Sequence, residues 1–105
     1  MTNPNKKLIF KQTGKFTKWL DKLKNRVAKD EILSRISAAE DDGNFGNWKS
    51  LGAGVYEMKI YIGQGYRLYY AQEGDKIYWL LCGGDKSTQE QDIKTAKAMW
   101  QLLKK

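Results

Sequence analysis

Apolar residues recur in two rhythms along this chain, and the changes of rhythm mark its elements. Lys7–Lys11 (KLIFK) is a short apolar run with charged ends, which predicts a first strand. Thr13 follows as a helix N-cap. From Lys15 to Lys24 the residues Phe16, Trp19, Leu20 and Leu23 return at helical spacing with lysines between them, so this stretch predicts an amphipathic helix. A second helix is predicted from near Asn25, with Val27, Ala28, Ile32, Leu33, Ile36 and Ala39 as its apolar set and Gly43 after Asp42 as its stop. Almost no chain separates the two, which predicts a helical hairpin.

Gly43–Gly54, rich in Gly and Asn, reads as a loop carrying Phe45, Trp48 and Lys49. From Val55 to Ile62 the period becomes two: Tyr56, Met58, Ile60 and Ile62 take one face, Glu57, Lys59 and Tyr61 the other. Gly63-Gln64-Gly65 turns the chain into a return strand, Tyr66–Gln72, and Glu73-Gly74-Asp75 turns it again. Lys76–Cys82 (KIYWLLC) is almost continuously apolar, the pattern of a strand buried within a sheet. Gly83-Gly84-Asp85-Lys86 breaks that run. Ser87 with Glu90 reads as a capping box, opening a last helix that carries Ile93, Ala96, Met99, Trp100 and Leu103. No repeat or linker intervenes, so residues 1–105 read as one domain. The predicted order is β-α-α-β-β-β-α. The fold class is α+β: a helical hairpin packed on a small, mainly antiparallel sheet, with a C-terminal helix.

Composition narrows the chemistry. Hydrophobic residues at 41% and charged residues at 30% are a globular balance, not a disordered one. The net charge of +7 favours polyanionic partners. Cys82 is the sole cysteine, so no intramolecular disulfide forms, in keeping with a reducing cytoplasm. The chain contains no histidine, which removes both the usual general base near neutral pH and Cys/His zinc sites. No apolar run approaches the ~20 residues that span a bilayer, and the polar start Met1–Lys7 is not a signal peptide. The expectation is a cytoplasmic protein with no membrane partner, no metal and no cofactor. Gly83-Gly84-Asp85-Lys86 lacks the spacing of a nucleotide-binding Walker loop.

Three separated motifs resemble one family. Gly43-Asn-Phe-Gly-Asn-Trp-Lys-Ser-Leu-Gly-Ala-Gly-Val-Tyr-Glu-Met-Lys-Ile is similar to the signature loop and second strand of HigB-like addiction-module killer proteins, a branch of the RelE/ParE toxin superfamily. Gly65-Tyr-Arg-Leu-Tyr-Tyr resembles their third strand. Leu80-Leu-Cys-Gly-Gly-Asp-Lys-Ser-Thr-Gln, continuing to Asp92-Ile93, resembles their last strand and the start of the final helix. The resemblance spans Phe16 to about Ala96 and implies a RelE-like fold and a toxin of a type II toxin–antitoxin system. It implies a cognate antitoxin as partner, expected to be a small helix-turn-helix protein. In RelE-like members the activity is cleavage of messenger RNA on the translating ribosome; ParE-like members share the fold and poison DNA gyrase.

Cleaving RNA to a cyclic phosphate requires removing the 2′-hydroxyl proton, stabilising charge on the phosphate and protonating the leaving oxygen, and Lys and Arg can supply much of this electrostatically. Strand alternation groups Glu57, Lys59, Arg67 and Tyr69 on one face, expected to be open. The fork of Arg67 suits a phosphate, Glu57 or a lysine would handle the proton, and Tyr69 would stack on a base. In RelE-like enzymes a basic residue on the second strand and an arginine in the GYR-type motif act on the scissile phosphate; Lys59 and Arg67 match those positions. Glu57 stands where some members carry another lysine. Lys86, at a helix start, is a further catalytic candidate. Lys49 would close the other side of the cleft, and Lys15, Lys18 and Lys22 would grip ribosomal RNA.

Each candidate also has a purely structural reading. Arg67 can pair with Glu57 across the hairpin, Lys59 can be a solvated edge charge, and Lys86 can be part of a helix start. The helix lysines can be a solvated face. Trp19, Trp79 and Trp100 are expected in the core, Trp48 as a lid over the sheet, and Cys82 as a buried thiol. RelE-like enzymes often carry a catalytic tyrosine near the carboxy terminus, where this chain has Gln91-Asp92-Ile93. Two alternatives to a metal-independent endoribonuclease therefore stand: a gyrase inhibitor that performs no chemistry, and an inactive phage-derived remnant that binds only its antitoxin.

Overall fold

The computed structural model describes residues 7–105, so most of the polar start Met1–Lys7 lies outside the described residues. Strand β1 is Ile9–Gln12, and helices α1 (Gly14–Lys22) and α2 (Arg26–Asp42) follow. Four strands come next: β2 (Asn47–Gly52), β3 (Val55–Ile60), β4 (Tyr66–Glu73) and β5 (Ile77–Gly84). A 3-10 turn, Lys86–Thr88, leads into α3 (Gln89–Leu103). The strands form one sheet in the order β1-β5-β4-β3-β2. Only β1 is parallel to its neighbour, β5; the other pairs are antiparallel. This is the α+β class expected, with one more strand: β2 lies inside the glycine-rich stretch read as a loop. Its six residues are almost all exposed, so the strand shows no apolar alternation and is held by pairing with β3.

Local chemistry sets the helix ends. The Thr13 hydroxyl accepts from the Phe16 amide, and the Asn25 side chain accepts from the Ala28 amide. Gly43, at φ +67°, closes α2 in the left-handed conformation that glycine adopts without strain. On α2 only Ala28, Ile32, Ile36 and Ala39 are buried. Val27 and Leu33, expected in that set, fall off this stripe and are exposed. The final helix start also differs from expectation. Asp85 caps it: its carboxylate accepts from the Ser87 amide, and the Thr88 hydroxyl accepts from the Asp85 amide, completing the box two residues earlier than Ser87 and Glu90 would.

The sheet is covered on both faces. Phe16, Leu20, Ile32, Met58, Leu68 and Leu80 belong to the core under the helical hairpin. Val55, Tyr69, Ala71, Leu81, Ala96 and Trp100 belong to a second core under α3. The pairing of β4 with β5 slips between Tyr69 and Tyr70, leaving Leu81 as an extra residue; consequently both Leu81 and Cys82 face α3. Trp100 is in the core as expected, whereas Trp19 and Trp79 are only half-buried. Among the described residues no helix is long and apolar enough to cross a membrane.

Gly83 and Gly84 do not break β5; the strand runs through both. They are small because two neighbours press on opposite faces of the strand. A Cβ on Gly83 would run into the Trp19 ring of α1, and one on Gly84 into Thr88 and Asp92 beneath α3. Gly83→Ala is therefore expected to destabilise the protein by about 1–3 kcal/mol through overpacking. The check is a urea titration: the midpoint should fall at unchanged slope, and an unchanged midpoint would show that the Trp19 ring yields freely.

Candidate functional site

The register of the sheet builds the site. Lys49 of β2 lies opposite Glu57 of β3, and Glu57 lies opposite Tyr69 of β4. One step along, Asn47, Lys59 and Arg67 form the adjacent row. Residues paired this way share a face, so the grouping of Glu57, Lys59, Arg67 and Tyr69 is realised. That face is not open, however. The start of α3 packs over it, leaving Glu57 3% exposed, Arg67 4% and Tyr69 0%. What remains accessible is a cleft of about 170 Å³ at the β2 edge, whose lining includes Asn47, Lys49, Lys59, Tyr61 and Gln89 as well as Glu57 and Arg67.

Glu57 is the centre of the cleft. Gln89, the first residue of α3, donates to its Oε2 at 3.1 Å. Arg67 Nε approaches the same oxygen at 3.9 Å and Lys49 Nζ approaches Oε1 at 3.9 Å. A carboxylate this deep costs several kcal/mol in desolvation unless charges and donors surround it, and here three elements supply them. The Arg67 fork also donates to the Gly65 carbonyl at 2.7 Å. Among the described residues its Nε has no hydrogen-bond partner, and neither does the Tyr69 hydroxyl. Buried donors without partners are uncommon, so Arg67 keeps unfilled hydrogen-bonding capacity beside the cleft.

Lys59 forms no ion pair among the described residues. Its ammonium lies 4.8 Å from the centroid of the Tyr61 ring, a cation–π contact. The Asn47 amide donates to the Tyr61 hydroxyl and fixes that ring from β2. The cleft thus carries Lys49, Lys59 and Arg67 against the single carboxylate of Glu57, a positive excess suited to an anion. Among the described residues no group of three or more His, Cys, Asp or Glu gathers that could hold a metal ion.

Other candidates fall elsewhere. Tyr69 is wholly buried under α3, so it cannot stack on a base. Its phenol is raised above the ordinary range, first by burial and then by the charge of Glu57. Lys86 is exposed; its amide donates to the Gln64 carbonyl, and its side chain does not line the cleft. Lys15, Lys18 and Lys22 are exposed on α1 and also do not line it. Trp48, read as a lid, is 54% exposed and meets Tyr56 edge-on at the margin of the sheet. Sequence reasoning missed Gln89, Asn47 and Tyr61. Gln89 had a signal: it continues the stripe Ile93, Ala96 and Trp100 as a polar residue on an otherwise buried helix face.

Fold and cleft together define a small α+β domain with a basic, histidine-free site between an edge strand and the start of its last helix. Residues 18–104 match the family model described as "Phage derived protein Gp49-like", and the chain belongs to that family. It is also 50% identical over 93 residues to an uncharacterized protein of Haemophilus influenzae, covering 89% of this chain and 93% of that relative.

Burial predicts different roles for the two cations that touch Glu57. Arg67→Ala should cost about 3 kcal/mol, because it removes the partner of a buried charge. Lys49→Ala should cost under about 1 kcal/mol, because that ammonium is largely solvated. Urea titrations of both variants check the order; equal costs would show that Glu57 is not held chiefly by Arg67.

The thiol of Cys82 gives a pH prediction. Burial first, and then the charge of Asp92, pushes it from 9.0 up to about 12. The unfolded thiol ionises near pH 9 while the native one keeps its proton, so unfolding releases a proton in this window and stability falls as pH rises from about 9 to 12. Tyr69 and Tyr70 are raised as well and add to the decline above pH 10. Each group contributes a slope of about 1.4 kcal/mol per pH unit. Unfolding free energies measured at pH 8, 9, 10 and 11 should therefore drop progressively more steeply, and Cys82→Ala should flatten the first part of the drop.

Proposed function

We propose that this protein is the toxin of a type II toxin–antitoxin pair, acting in the cytoplasm as a ribosome-dependent messenger-RNA endonuclease. The observation that carries the proposal is the Glu57 cleft, in which a buried carboxylate sits among Lys49, Lys59, Arg67 and Gln89 in a chain without histidine. The motif resemblance to HigB-like killer proteins and membership of a phage-derived family support the same reading. The phosphate of the scissile linkage would enter between Lys59 and Arg67, where charge developing on it is stabilised. Glu57, at the floor of the cleft, would take the 2′-hydroxyl proton. Lys59, which rests on the Tyr61 ring and forms no ion pair among the described residues, would swing to the phosphate or to the leaving oxygen. The ribosome would hold the message in line, which a shallow cleft cannot do alone. The antitoxin would cover the basic surface with acidic and apolar residues.

A second reading is favoured by the burial of Glu57 and Arg67 and by the absence of a tyrosine at the start of α3. In that reading the same surface binds DNA gyrase and performs no chemistry. Primer extension on a reporter message after brief induction separates the two. Wild type should produce new 5′ ends, only on translated messages. Glu57→Gln, which keeps the shape of the side chain, and Lys59→Ala, which changes a partly exposed one, should each reduce them by at least about tenfold, within the usual range for a lost acid–base or electrostatic group. Urea midpoints near wild type would confirm that both variants fold. Intact messages in growth-arrested cells would overturn the nuclease reading and leave gyrase.

A further inference from the structure

We propose that the aromatic recess on the hairpin face of the sheet is a subsite for a nucleobase of a single-stranded RNA whose phosphates lie in the charged cleft; this rests on the RNA reading above. The recess, of about 280 Å³, is lined by Phe45, Trp48, Tyr56, Tyr70 and Tyr78, with Gln72 and Gly43 at its border. It lies where α2 stops at Gly43, and no helix among the described residues lines it. Phe45, Tyr70 and Tyr56 stack on one another, Phe45 5.3 Å from Tyr70 at 22° and Tyr56 5.5 Å from Tyr70 at 24°, and form a rigid wall; Trp48, edge-on to Tyr56 and 54% exposed, is the ring whose face is open to a base. No charged side chain lines the recess, so it does not suit a phosphate. A flat ring with polar edges suits it: the exposed Trp48 face accepts any base, and the Gln72 amide carries both a donor and acceptors for a base edge.

Trp48 joins the recess to the cleft, since it lines both. Strand alternation explains this. Trp48 lies opposite Met58 and turns its ring toward Tyr56, whereas Lys49 lies opposite Glu57 and turns toward the cleft. Because β2 is the edge of the sheet, no further strand separates the two faces there. A nucleotide chain crossing that edge would place a phosphate among Lys49, Lys59 and Arg67 and the neighbouring base against Trp48 and Tyr56. The positive excess of the cleft favours a polyanion as the ligand that spans both.

The test compares two short, fluorescein-labelled oligoribonucleotides of equal length and charge, one carrying bases and one abasic, by anisotropy at fixed low salt. Wild type should bind the base-bearing oligonucleotide about tenfold more tightly. Trp48→Ala should bring that ratio close to one, and Trp48→Phe should restore most of it. Trp48 is largely solvated, so its replacement should leave the urea midpoint near wild type. Equal affinity of wild type for the two oligonucleotides overturns the subsite and leaves the recess to an apolar side chain of a protein partner. A ratio that survives in Trp48→Ala also overturns it. Failure to bind either oligonucleotide overturns it too, while the nuclease reading still stands or falls by primer extension with the Glu57 and Lys59 variants, which do not touch the recess.

Discussion

Glu57 is a carboxylate that this small domain has placed almost wholly out of water. A buried charge is tolerated only when other groups replace its hydration. The replacements come from β2 through Lys49, from β4 through Arg67 and from α3 through Gln89. Satisfying one carboxylate thus ties the central hairpin to the start of the last helix. β2 is held chiefly by its backbone pairing with β3, because its own residues are exposed and contribute little to the core. The cleft is where this arrangement reaches the surface, and Lys59 on the Tyr61 ring adds a cation that Glu57 does not require.

The helices were legible because their burial is periodic, and the central strands because their apolar residues run between turn residues, although both of their faces are covered. Phe16 and Leu20 and the Ala28–Ile32–Ile36–Ala39 stripe follow from which positions meet water. The Thr13, Asn25 and Gly43 caps were legible for the same kind of local reason. β2 was not, because an exposed edge strand leaves no apolar trace and its pairing is made by backbone groups alone. The covering of the Glu57 face was also hidden. Sequence placed Glu57, Lys59, Arg67 and Tyr69 together correctly, but whether α3 crosses that face depends on tertiary packing, and Gly84 is the local concession that lets it approach. Asp85 caps the last helix, a role that residue spacing alone assigned to Ser87.

The two faces of the sheet solve different problems. Under α3 the polar row is closed down around Glu57, and burial pushes the ionisation of Tyr69 and Cys82 upward beside it. On the hairpin side Tyr56, Tyr70 and Tyr78 line an aromatic recess. Burial raises Tyr70 and Tyr78 above the ordinary phenol range. One face therefore offers charge and the other offers neutral aromatic surface.

These properties meet only at the β2 edge. An edge strand is ordinarily a liability, blunted by charge, irregularity or cover. Here Lys49 supplies charge, and the register shift between Ser50 and Gly52 supplies irregularity. Trp48 runs against that logic, since a large aromatic side chain left half in water costs solubility without adding to either core. A purely structural account explains Lys49 through Glu57 but gives Trp48 only its edge-on contact with Tyr56. The position of Trp48 between a cationic cleft and an aromatic recess is the feature that folding alone does not require, and it is the reason to seek the ligand of this protein at the sheet edge.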